Sequence, residues 1–166
     1  MFTNVNHEDL WWLSLKKKDL LELAFTLSQK ALPLWNGFNF PGNFKDKIKS
    51  LPQFALAEIA VSMVKKSDNE SHLNDYYTSF ITPVVQIQDG DLKFPYEVKL
   101  AFLSVFDILK GMLSTRNKYA AIEAFSSSIT RSLDAIKISN ILTTNEVAKL
   151  TDEFVFLSMK TKHARI

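Results

Sequence analysis

A chain of 166 residues, 46% hydrophobic and 23% charged, has the balance of one globular domain, long enough to bury roughly 70% of its unfolded surface around a single core. The absence of cysteine excludes a disulfide framework, a thiolate metal site and a cysteine nucleophile, and a net charge of +2 is too small to argue for nucleic acid. With four glycines, five prolines, no apolar run of ~18 residues and an acidic rather than basic start, the expectation is an all-α, single-domain cytoplasmic protein over residues 1–166, with no membrane span and no export signal.

Residues 7–13 suit a short helix with acid in its first turn, its Trp11 and Trp12 lying over the body as a lid. Ser14 is placed to cap the next helix, whose Leu20, Leu23, Leu27, Ala31 and Leu34 recur at three and four residues until Pro33 is expected to kink or end it. Asn36-Gly37 and Pro41-Gly42 are turn chemistry, and Trp35, Phe38, Phe40 and Phe44 should pin that loop to the core. Residues 53–64 contain Glu58 as their only ionisable side chain and are apolar on nearly every side. Such a helix is expected at the centre of the fold, capped by Ser50 with Pro52 in its first turn.

Ser71 can cap a helix ending near Pro83, and over residues 84–94 the alternation around Asp89-Gly90 leaves a small β-hairpin or an ordered loop open. Pro95 opens a second strongly apolar helix, Asn117 caps a third amphipathic one, and Thr143 with Glu146 forms a capping-box pattern before the last. The whole reads as six to seven helices around a buried central helix.

No nucleotide-binding glycine loop, serine-hydrolase elbow or zinc-protease motif occurs, and His7, His72 and His163 lack ligand spacing. No catalytic, cofactor-binding or metal-binding residue is therefore assigned. Glu58 and Asp107 form a possible buried polar site, since each lies in an apolar helix and must be paired, hydrogen-bonded or raised in pKa. Ser126, Ser127 and Ser128 with Thr130, lacking a nearby base, read as a small-residue face for close helix approach. Charge is uneven: residues 67–115 carry a net −4 between flanks of +3 each. Asp68, Glu70, Asp75, Asp89, Asp91 and Glu97 are the expected partner-binding residues, because a converging acidic patch steers a basic protein.

The stretch of residues 20–38, an apolar helix running into Leu32-Pro33-Leu34-Trp35 and the Asn36-Gly37 turn, resembles the opening of all-helical immunity proteins of bacterial polymorphic toxin systems and their uncharacterised relatives. The resemblance covers about the first quarter of the chain. It implies a small cytoplasmic protein that binds one cognate toxin domain and blocks it, although the near-neutral charge departs from the acidic balance of nuclease inhibitors. The expectation is a non-enzymatic protein-binding bundle with a protein partner and no cofactor. The alternatives are a small-molecule or enzymatic bundle with an aromatic pocket near Trp11, Trp12 and Trp35 and Glu58 as its polar group, or a homo-oligomer formed through exposed apolar surface.

Overall fold

The computed structural model describes residues 10–65, 70–90 and 92–164. A 3-10 turn, Trp11–Ser14, precedes six helices: α1 (Lys17–Asn36), α2 (Asp46–Val64), α3 (Glu70–Gln88), α4 (Tyr96–Leu113), α5 (Lys118–Ser139) and α6 (Thr144–Ala164). No strand occurs among the described residues.

The central helix is α4. Eleven of its residues are buried, among them Phe102, Val105, Ile108 and Leu109, and it packs most extensively on α5, then on α1, α3 and α2. Close approach to α5 is possible because Gly111 has no side chain: a Cβ there would lie 2.5 Å from the Phe125 ring. Ser126 and Ser128 on α5 are both buried but on different sides of the helix, Ser126 against Trp12 and Ser128 against α4, so they do not make a single face. Ser128 Oγ donates to Ser104 O at 2.8 Å, linking α5 to α4. Ser104 Oγ donates its one proton to Ala101 O, so Ser28 on α1 is the donor in the 2.7 Å Ser28–Ser104 contact. A buried run of hydroxyls thus ties the three core helices together.

The expectation that residues 53–64 form the buried centre is overturned. On α2 only Leu51, Pro52, Ala55, Leu56 and Ile59 are buried, whereas Phe54 is 55%, Val61 42% and Val64 84% exposed. The segment is helical but peripheral, with one side on the core and the opposite side apolar and bare. Composition cannot distinguish the two apolar helices. What separates them is that α4 packs extensively on α5 and α1 and also on α3 and α2, while α2 packs on α1, α3 and α4 more lightly and leaves its other side exposed.

The hairpin expectation over residues 84–94 also fails. Helix α3 runs on to Gln88, with Val84 and Ile87 buried three residues apart. Asp89-Gly90 is a turn, but it terminates a helix: Gly90 adopts φ 82° and its N–H reaches Ile87 O at 3.2 Å. A two-stranded ribbon gains little in water alone, whereas continuing α3 buries two aliphatic side chains.

Prolines 33, 52 and 83 all sit inside helices. Each removes one backbone donor, and the residues that follow, such as Trp35, Leu56 and Ile87, gain enough burial to offset that loss. The Ser14 and Ser50 caps are not formed: Ser14 Oγ donates to Trp11 O and Ser50 Oγ to Asp46 O, and Ser71 lies within α3. Asn117 does cap α5, accepting from Ala120 N–H at 3.1 Å.

The capping box on α6 is present, with Thr143 N–H to Glu146 Oε1 and Glu146 N–H to Thr143 Oγ1 both at 3.1 Å. Its hydrogen bonds to Thr143 hold the Glu146 carboxyl below its ordinary pKa. Because α6 packs mainly on the Trp11–Ser14 turn and more lightly on α1, Thr143→Ala is expected to act locally. The lost cap costs about 1 kcal/mol of helix stability. Amide exchange should accelerate in the first turn of α6 while α4 and α5 stay protected; uniform acceleration would contradict this hierarchy.

Candidate functional site

The two carboxylates singled out from the sequence point in different directions. Glu58 on α2 faces α3, its Oε1 3.3 Å from His72 Nδ1, with the glutamate side chain 20% and the imidazole 67% exposed. Asp107 on α4 faces α5, where Arg131 donates to its Oδ2 at 2.8 Å. Desolvation by burial raises Asp107 from 3.8 to about 6, against the lowering effects of Arg131 and Lys110. Neither lines the surface groove between α2 and α3 or the one between the N-terminal turn and α5. No group of three or more His, Asp or Glu side chains suited to a metal occurs among the described residues.

The tryptophans serve packing. Trp12 is buried and donates from Nε1 to Ser126 Oγ at 2.8 Å, holding the N-terminal turn on α5. Trp35 has no exposed surface and donates to Lys49 O at 2.8 Å. Its ring meets Phe40, Phe44, Phe94 and Phe102 at centroid distances of 4.8, 6.2, 5.5 and 4.5 Å. Those contacts fix the loop after α1, as its aromatic spacing implies, and through Phe94 also the α3–α4 connection, which carried no such signal. Trp12 and Trp35 therefore make separate ring contacts within one hydrophobic core, Trp12 with Trp11 and Trp35 with the four phenylalanines.

Among the acidic residues, Asp68 and Asp91 lie outside the described residues. Glu70, Asp75 and Asp89 are exposed and Glu97 half-buried. Glu70 opens α3 and Asp89 follows its last residue, so roughly 28 Å of helix separates them. Glu70 and Asp75 lie in the first turns of α3, whereas Asp89 and Glu97 flank the short α3–α4 connection.

Two surface grooves accompany these features. One, of about 530 Å³, lies between the N-terminal turn and α5 and is lined by Leu10, Leu13, Tyr119, Ile122, Glu123 and Arg131 among others. Its guanidinium is already held from behind by Asp107. The other, of about 400 Å³, lies between α2 and α3. Exposed apolar side chains at helical spacing also occur on α3 (Ile81, Val85) and α6 (Phe156, Met159), and the longest such run is on the outward side of α2. Phe54, Ala57, Val61 and Val64 are all exposed and follow one another at three, four and three residues, which places them on one stripe. Sequence reasoning noticed these side chains and read them as core, since an unpartnered apolar face and a buried one carry the same pattern.

No family model matches the chain, and neither a curated protein nor a solved structure does. No helix among the described residues is long and apolar enough to cross a membrane.

Proposed function

We propose that this protein is a non-enzymatic binding module whose outward α2 face docks on a partner protein. The observation that carries the reading is the stripe of Phe54, Ala57, Val61 and Val64, with Phe54 55% and Val64 84% exposed. Side chains of this kind at helical spacing are costly to leave in water and suited to lie in an apolar groove of another protein. Phe54 supplies the aromatic anchor and Ala57 permits close approach. In its finer form the partner is a cognate toxin domain and the module an immunity protein. The resembling segment, residues 20–38, is mostly α1, whose Leu20, Leu23, Ala24, Leu27, Ala31 and Trp35 are buried. The resemblance therefore concerns the scaffold, and recognition lies on other surfaces.

Co-expression with the product of the adjacent reading frame tests both levels. The expected result is a complex that survives size-exclusion chromatography and, for the immunity reading, relief of that product's toxicity. Phe54→Asp with Val61→Asp should abolish the complex while changing unfolding free energy by less than about 0.5 kcal/mol, as for other surface sites. A complex indifferent to the double substitution, or none at all, would count against the reading.

A further inference from the structure

The groove between α2 and α3 differs from the outward α2 face in being concave and charged. Phe44, Ile48, Leu51, Pro83 and Leu92 contribute apolar surface to it, and Ser79, Thr82 and Gln86 from α3 add neutral hydrogen-bonding groups. Lys45 and Lys47 are the only charged residues lining it among the described residues. Neither lysine makes an ion pair among the described residues, whereas Lys49 nearby is engaged by Asp46 at 3.3 Å. A volume of about 400 Å³ is enough for one or two large side chains. The site thus offers apolar burial beside uncompensated positive charge, and its complement is an apolar group flanked by negative charge.

We infer that this groove is a second docking site, and that its occupant is an acidic segment of a partner protein carrying an aliphatic or aromatic anchor. The anchor lies against Ile48, Leu51 and Pro83. Flanking carboxylates meet Lys45 and Lys47, and Gln86, Ser79 and Thr82 are available to the segment's backbone. The inference takes from the proposed function only that the occupant is a polypeptide, and it does not require the outward face of α2 to be used. Together the two sites describe a partner whose contact surface is apolar in one part and acidic in another. An acidic stretch of that kind would also be attracted by the basic flanks of the chain, each carrying a net +3.

The test uses the full chain, labelled with nitrogen-15, and a blocked peptide of sequence Asp-Glu-Leu-Phe-Glu-Asp as probe. Amide shifts confined to residues 43–51, 79–86 and the vicinity of Leu92 are expected, with affinity falling as salt is raised. Lys45→Glu with Lys47→Glu should weaken binding by about tenfold. Thr82→Trp, which fills the groove from an exposed position and leaves both lysines in place, should weaken it comparably, with the unperturbed amide spectrum reporting an intact fold. Absence of shifts at millimolar peptide overturns the inference. So does equal binding of a peptide with lysine in place of every acid, or binding of phosphatidylglycerol vesicles through these residues when the peptide does not bind. Shifts confined to residues 53–64 would overturn the groove and leave the outward-face reading standing. Loss of the co-expressed complex on Phe54 and Val61 substitution bears on that reading alone.

Discussion

Replacing Trp35 with alanine is expected to cost about 3–5 kcal/mol, a large part of the 5–15 kcal/mol typical of a domain's whole stability. The side chain has no exposed surface, and four aromatic rings lie within 6.2 Å of its centroid. Truncation would leave Phe40, Phe44, Phe94 and Phe102 facing a void that the backbone of three elements prevents from closing. It also removes the donor to Lys49 O, leaving that carbonyl to find water. Trp35→Phe keeps most of the ring and loses only the N–H and part of the volume, so its cost should be nearer 1–2 kcal/mol. Urea unfolding followed by circular dichroism at the helix band measures both. Amide exchange should accelerate first in residues 37–44, where the loop depends on this ring. A loss below about 1 kcal/mol for the alanine variant would mean that the aromatic cluster merely occupies space.

That cluster was legible in the sequence because aromatic residues in a turn-rich loop have few reasons to be there except anchoring. The Asn117 cap and the Thr143–Glu146 box were legible for a similar reason: their chemistry is local and the partner lies three residues away. The order of layers was not. Residues 53–64 and 98–109 are both apolar around the helix, and only tertiary contacts decide that the second is enclosed and the first is not. The same ambiguity hid the candidate binding surface, since Phe54, Val61 and Val64 were counted into the core. Proline misled the placement of helix ends, because its local cost is fixed while the burial gained by Trp35 or Ile87 beyond it depends on distant elements. The groove between α2 and α3 had no sequence signal at all. It is assembled from the loop after α1 and two helices about 30 residues apart.

Asp107 and Arg131 were half legible: the carboxylate announced a need for a partner, and the partner 24 residues on was invisible until α5 folded back along α4. The pair gives the second large effect, and its sign follows from linkage. Asp107 has a folded-state pKa of about 6 against 3.8 for the free side chain, so between these values the folded protein holds a proton that the unfolded chain does not. This group therefore favours the fold at low pH and penalises it as pH rises, a change of about 3 kcal/mol completed above pH ~6. Asp107→Asn removes the titration. Its stability relative to the parent should rise by about 2.5 kcal/mol between pH ~4 and pH ~7.5, a comparison in which the other carboxylates cancel. Arg131→Met moves the balance the other way. With no guanidinium beside it, the buried carboxylate is left uncompensated, and the loss at neutral pH should be about 3 kcal/mol, smaller near pH ~4 where the parent Asp107 is already protonated. Combining the two should recover most of that loss, because no charge is then left unpaired in the core. Urea titrations of the four proteins at both pH values provide the cycle. A difference between Asp107→Asn and the parent that stays flat with pH would show that the carboxylate is better solvated than its 6% exposure implies.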